Sequence, residues 1–236
     1  MKLGELITRA KLSLKVRDFE QAINFLNRVV RENPNIAGVY LLLGNAYQSL
    51  NNFDKAIENY NIALKKNDKL IEAYNNLGVI YKKIEDYKKS VQNFNKALKL
   101  NPERPDIYYN LGNVNKILNK FPEAIDNFEK SIKYNPNFSL SYNNLGIVYE
   151  SLGKYNEAIN VYQKGLKADP NNLKLHYNLG IVYEKIANEE DALVHYKKIV
   201  ELSSKNICTN SITGTFFKLN IRFWNWSVIV GFNILI

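Results

Sequence analysis

Apolar residues recur along most of the chain in stretches of about a dozen positions with a 3.6-residue period, separated by short polar breaks, and this predicts a succession of short amphipathic helices. The stretches come in pairs, and the pairs repeat every 34 residues. Gly44, Gly78, Gly112, Gly146 and Gly180 stand 34 apart, each preceded by a leucine (Leu43, Leu77, Leu111, Leu145, Leu179). An aromatic ring precedes each leucine by three positions: Tyr40, Tyr74, Tyr108, Tyr142 and, in the last copy, the imidazole of His176. Tyr47, Tyr81, Tyr149 and Tyr183 follow the glycines by three, with Asn115 as the exception. The second stretch of each pair repeats Ala22, Ala56, Ala124, Ala158 and Ala192, with Ser90 substituting, and four residues later Leu26, Tyr60, Phe94, Phe128, Tyr162 and Tyr196. Pro34, Pro102, Pro136 and Pro170 close four of the units and interrupt the second helix so that the chain can turn.

Helices of a dozen residues are marginal in water by themselves, so each pair must pack on its neighbours to persist. A glycine in a helix costs roughly 1 kcal/mol relative to alanine, and five of them need compensation. Close approach of the partner helix supplies it, with the expectation that each glycine faces the small alanine of the second helix. The recurring rings, including Phe19, Phe53, Tyr87, Phe121 and Tyr155 after the turn, are assigned to the core.

This pattern resembles the tetratricopeptide repeat family over six units, 3–36, 37–70, 71–104, 105–138, 139–172 and 173–206. The first unit departs most, with Ala10 at the glycine position and Ser13 at the tyrosine position, as an end unit with a single neighbour does. The resemblance implies an all-α fold, a right-handed α-solenoid of six antiparallel helix pairs whose first helices line a concave groove. It also implies a scaffold for protein-protein interaction that holds an extended peptide or a helical segment of a partner in that groove.

Composition excludes several other classes. One cysteine, Cys208, and two histidines, His176 and His195, support neither a disulfide framework nor a Cys/His zinc site. No phosphate-cradling, dinucleotide, zinc-protease or nucleophile-elbow motif occurs, so no catalytic residue, cofactor or metal is expected and an enzyme is not indicated. His176 replaces a packing tyrosine and is read as a packing residue, and His195 as a helix-surface residue. The N-terminal residues lack the apolar run of a secretory signal, which makes the cytosol the expected compartment. The formal net charge of +9 is unevenly placed: the first three units carry +2, +1 and +3, and the last three are balanced. Lys82, Lys83, Lys88 and Lys89 focus it on the third unit, which favours an acidic protein or peptide. Nucleic acid is disfavoured, because the helical repeats that read RNA bases have another signature.

Asparagines at one register, Asn76, Asn110, Asn144 and Asn178, form a column two residues before the repeat glycines, with Leu42 and Thr8 in the earlier units. A primary amide offers a donor and an acceptor at once, so it can satisfy both polar groups of a peptide bond without reading a side chain. First helices spaced about 8–10 Å apart would present one such amide to about every third residue of an extended ligand. The column is similar to the asparagine ladder in the repeat region of O-linked N-acetylglucosamine transferases, the closest match in repeat pattern. The plainer alternative has these amides bonding across neighbouring units. Flanking positions complete the candidate groove: Asn75, Tyr109, Asn143 and Tyr177 in one column, Asn45 and Asn113 in another, and Lys82 and Lys116 beside them. The lysine and asparagine clamp with which some relatives hold chaperone C-termini is not matched, since its basic positions carry Leu41 and Asp106.

From residue 207 to residue 236 the pattern changes to a period of two, with Phe217, Leu219, Ile221 and Phe223 alternating with polar residues. The uncharged run Phe223 to Ile236 has 14 residues, fewer than the roughly 20 a spanning helix needs. Three readings stay open for this hydrophobic tail: a membrane anchor, a peripheral membrane attachment, or a frameshift or read-through product. The last would make the chain a fragment and leave room for a missing catalytic domain, in which case the repeats are the substrate-recognition arm of a glycosyltransferase-like enzyme.

Overall fold

The computed structural model describes residues 2–207, and among them it contains twelve α-helices and no strand. Each unit holds one pair: α1 Leu3–Lys15 with α2 Phe19–Glu32, α3 Ala37–Ser49 with α4 Phe53–Lys66, α5 Ile71–Lys83 with α6 Tyr87–Leu100, α7 Pro105–Ile117 with α8 Phe121–Tyr134, α9 Ser139–Ser151 with α10 Tyr155–Ala168, and α11 Leu173–Lys185 with α12 Glu189–Ile207. The tail that the sequence singles out lies outside the described residues, apart from Ile207 at the end of α12. Among the described residues no helix is long and apolar enough to cross a membrane.

The turn inside each pair is set by one backbone position. Arg17, Asn51, Glu85, Asn119, Gly153 and Ala187, spaced by the repeat length, all adopt positive φ, between 55° and 71°. The left-handed residue lets the chain reverse while capping the first helix: the Asn51 and Asn52 amides donate to the carbonyls of Gln48 and Tyr47, a Schellman closure. The residue that follows starts the second helix. Asp18, Asn52, Asp86 and Asn188 accept a hydrogen bond from the backbone three residues on, which satisfies one of the free N–H groups of a helix start. Between units, Asn33, Asn67, Asn101 and Asn135 each accept from the amide two residues later. The turn at Asn67 forms without a proline after it, so the asparagine side chain, more than the proline, shapes this corner.

Packing within a pair adds one contact to the expectation. The glycines face the ring four residues beyond the alanine. A Cβ on Gly78 would lie 2.5 Å from Phe94 and one on Gly112 would lie 2.7 Å from Phe128, and Tyr60, Tyr162 and Tyr196 fill the same space opposite Gly44, Gly146 and Gly180. In the first unit, Ala10 occupies the glycine register and the smaller Leu26 the ring register, both fully buried. Close approach of small residues occurs within the pair, where Ser90 Oγ in the alanine register donates to the Gly78 carbonyl at 2.7 Å, and also between units. Ala63, Ala97, Ser131 and Gly165 share one register on the second helices and are buried, and a Cβ on Gly165 would lie 2.8 Å from Leu175 and from Tyr142 of the neighbouring first helices.

Every helix packs on the next one in sequence, within and between units. First helices also touch one another, α1 with α3, α5 with α7, α7 with α9 and α9 with α11, whereas among the described residues no two second helices approach comparably. The array is therefore an α-solenoid that bends toward its first helices, and these line the concave side. At its beginning, Glu5 and Arg9 stand where other units bury apolar side chains such as Val39 and Leu43, and they form an exposed ion pair of 3.0 Å.

Candidate binding groove

On each first helix, three positions spaced i, i+4 and i+7 face the concave side as a stripe. They are Leu41, Asn45 and Gln48 in the second unit, Asn75, Val79 and Lys82 in the third, Tyr109, Asn113 and Lys116 in the fourth, and Asn143, Ile147 and Glu150 in the fifth, all half-buried. In the sixth unit Ile181 is half-buried while Tyr177 and Glu184 are exposed. The i, i+4, i+7 spacing puts the three side chains on one face of the helix, and contact between neighbouring first helices joins the stripes into one surface.

The asparagine column runs beside these stripes and is tied to them. Asn76 donates to Asn45 Oδ1 at 2.9 Å, Asn110 to Asn75 Oδ1 at 3.3 Å, Asn144 to Asn113 Oδ1 at 2.8 Å and Asn178 to Asn143 Oδ1 at 2.8 Å. The acceptor alternates between the two flanking registers because each of units two to five carries an asparagine at only one of them. The amides thus form bonds between successive units. One N–H of each column amide is committed in this way. Asn110 is half-buried, and beyond this bond no further hydrogen-bond partner of its side chain occurs among the described residues. Asn144 Oδ1 accepts from Lys116 Nζ at 3.3 Å and from Asn143 at 3.4 Å.

A second regularity connects the stripe to the core. The Tyr60 hydroxyl lies 2.7 Å from both Gln48 Oε1 and Asn45 Oδ1, and the Tyr162 hydroxyl donates to Glu150. Glu184 plays the same part for Tyr196. Burial pushes all three phenols well above their ordinary pKa, and the adjoining carboxylates raise Tyr162 and Tyr196 further. They remain protonated donors throughout the physiological range. In the third and fourth units the ring is Phe94 or Phe128, which needs no acceptor, and the stripe position is Lys82 or Lys116. Desolvation lowers the pKa of both lysines from the ordinary value. Gln48, Glu150 and Glu184 are not among the groove candidates read from the sequence, although a tyrosine follows each of them by twelve residues.

The remaining sequence candidates lie elsewhere. His176 is buried, and its Nε2 lies 3.0 Å from the Pro170 carbonyl. His195 is not a surface residue: it is half-buried, its Nδ1 stands 2.9 Å from Nδ1 of His176, and its ring stacks on Tyr183. The reason is that its register, that of Asn59 and Asn127, turns toward the partner helix. With the Pro170 carbonyl fixing a proton on Nε2 of His176, the short contact places a single proton between the two Nδ1 atoms. Among the described residues no group of three or more metal-ligating side chains converges. Two open depressions lie elsewhere, one lined by Leu50, Asn52, Phe53, Asp54 and Ile84 and the other by Leu64, Lys65, Tyr74, Asn93 and Lys96.

Comparison with known proteins agrees with this geometry. Sequence profiles of the tetratricopeptide repeat match residues 32–103, 105–138, 127–160 and 173–206, and a TPR repeat profile matches 149–186. No curated protein sequence matches the chain. Among solved structures, MamA is 27% identical, with a TM-score of 0.65 over 70% of this chain and 97% of that one. YrrB, described as a TPR protein with an unusual peptide-binding site, is 26% identical, with a TM-score of 0.62 over 77% of this chain and 94% of its own. PilF of Pseudomonas aeruginosa shares the fold, with a TM-score of 0.71 at 20% identity, over 86% of this chain and 97% of that one.

Proposed function

Because the chain belongs to the tetratricopeptide repeat family, we propose that it is a non-catalytic interaction scaffold that holds an extended peptide or helical segment of a partner protein along its concave groove. The observation that carries this reading is the stripe on the first helices, half-buried from the second unit to the fifth, which alternates apolar side chains (Leu41, Val79, Ile147) with amides and ends on Ile181. Apolar patches supply burial energy, and amides with free groups fix the register of a peptide backbone. YrrB, a TPR protein with an unusual peptide-binding site, supports the same use of the fold.

The test begins with peptides selected from a displayed random library on the full chain. Val79→Arg with Ile147→Arg fills the groove with charge, and Lys65→Glu with Lys99→Glu alters exposed positions on the second helices. The groove variant is expected to lose at least about tenfold in affinity, or ~1.4 kcal/mol, measured at a temperature where thermal melting shows it folded, while the second-helix variant keeps its affinity. The opposite pattern, or no selectable peptide, refutes the proposal.

The second reading, the substrate-recognition arm of a glycosyltransferase-like enzyme, draws on the asparagine column alone. It predicts that Asn110→Ala with Asn144→Ala abolishes binding of peptides regardless of their side chains, whereas a scaffold that also reads side chains retains sequence preference in that variant.

A further inference from the structure

Lys82 and Lys116 have no role in the fold that would require a cation. Their register serves, in the second, fifth and sixth units, to accept a hydroxyl proton: Gln48 does so for Tyr60, Glu150 for Tyr162 and Glu184 for Tyr196. With Phe94 and Phe128 that demand disappears, and a neutral or apolar residue would serve equally well. Both ammonium groups are half-buried, and among the described residues neither has a carboxylate within ion-pair distance. Lys116 has only the Asn144 oxygen, at 3.3 Å. Eight other lysines, Lys83 and Lys89 among them, hold their charge over an aromatic ring, and neither of these two does. A partly desolvated cation without a counter-ion is unfavourable to leave bare and favourable to pair. The next two positions of the same column reverse sign: Glu150 and Glu184 follow in the fifth and sixth units. Glu150 is compensated by Lys185 at 3.0 Å.

Resting on the scaffold reading above, we propose that the groove selects an acidic segment and fixes its direction: two ligand carboxylates pair with Lys82 and Lys116, and the part of the ligand that continues toward Glu150 and Glu184 is neutral or basic. First helices about 8–10 Å apart place the two carboxylates about three residues apart in an extended chain. An acidic residue further along finds no lysine in the column, so attraction at Lys82 and Lys116 sets the polarity of the ligand.

The proposal is tested by selecting a displayed random dodecamer library in parallel on the full chain and on its Lys82→Glu, Lys116→Glu variant. Lys82→Gln with Lys116→Gln, which copies Gln48, serves as the uncharged control, and thermal melting verifies that each variant is folded. The wild-type chain is expected to enrich peptides with Asp or Glu about three residues apart and no acid on one side of that pair, and the charge-reversed chain to enrich Lys or Arg at that spacing. If the charge-reversed chain is unfolded, the glutamine variant decides: selection of acidic pairs must vanish on it. By fluorescence anisotropy, a selected acidic peptide is expected to bind the glutamine variant at least about tenfold more weakly. That difference should shrink near 1 M salt, where charges are screened beyond about 3 Å.

Peptides of the same charge pattern from all targets, blocked by Ile147→Arg, overturn the acidic selectivity and leave the scaffold reading standing. Absence of any enriched peptide, or peptides indifferent to Ile147→Arg, overturns both. A labelled single-stranded RNA that outcompetes the acidic peptide and depends on the same two lysines overturns the carboxylate assignment in favour of phosphate.

Discussion

The ring of Phe128 occupies the space that a side chain on Gly112 would fill, since a Cβ there would lie 2.7 Å from the ring edge. The same exclusion recurs in the four other units that carry the glycine. Where the first unit has Ala10 in its place, the opposing residue shrinks to Leu26, so the two registers trade volume against each other. Gly112→Val is expected to overpack this contact and destabilise the array by about 1–3 kcal/mol, read as a drop in the denaturation midpoint. Gly112→Ala combined with Phe128→Leu reproduces the pairing of the first unit, and this double variant should be more stable than Gly112→Ala alone. Additive losses in the double variant would show that the two registers do not compensate.

Two second helices begin without a capping side chain. Lys120 and Lys154 occupy the N-cap positions of α8 and α10 with nearly the backbone angles of Asp18 and Asn52, which do cap. Lys120→Asp and Lys154→Asp should each add about 1 kcal/mol, by satisfying an N–H group and by placing negative charge at a helix start. Chemical denaturation of each single variant measures this, and an unchanged midpoint with unchanged m-value would contradict it.

The left-handed turn position offers a complementary exchange. Ala187 and Glu85 hold φ near 60° with a side chain, and Gly153 holds it without one. A side chain there costs roughly 1–2 kcal/mol, which glycine avoids, partly offset by its greater freedom in the unfolded chain. Ala187→Gly and Glu85→Gly should therefore raise the melting temperature slightly, and Gly153→Ala should lower it. Equal and opposite signs from these identical corners are the diagnostic result.

Burial lowers the pKa of His195 below its ordinary 6.5, with the neighbouring His176 acting in the same direction and Asp191 opposing it. The unfolded chain therefore binds the proton more readily, and stability that is complete above pH 6.5 is lost as the pH falls below it. His195→Asn, which places at this position the residue found at Asn59, Asn93 and Asn127, should flatten the fall in melting temperature between pH 7.5 and 5.5. An identical slope in the variant would show that His195 does not titrate with unfolding.

Much of the fold is legible in the chain itself, for a physical reason: helix pairs too short to stand alone must repeat their buried residues at a fixed interval, and the interval exposes them. What stays hidden depends on geometry transverse to the helices. That Phe128 fills the space beside Gly112 follows from the lateral offset between two helices, which no spacing within one helix encodes. The left-handed corners escape notice because Arg17, Asn51, Glu85, Asn119, Gly153 and Ala187 share a conformation but no chemistry. In the groove, the asparagine column is plain in the sequence, but its lateral bonds alternate between Asn45 and Asn113 on one register and Asn75 and Asn143 on the other, and only the packed helices reveal which is within reach. The half-burial of His195 likewise comes from its neighbour His176 across the helix pair.

The most direct measurement is a crystal structure of the full chain bound to a library-selected peptide. The account predicts a peptide lying along the stripes of the first helices, its backbone bonded to the Asn110 amide and an acidic side chain at Lys82 or Lys116. A peptide seated on the second helices, or held in the groove with those three side chains untouched, would contradict it.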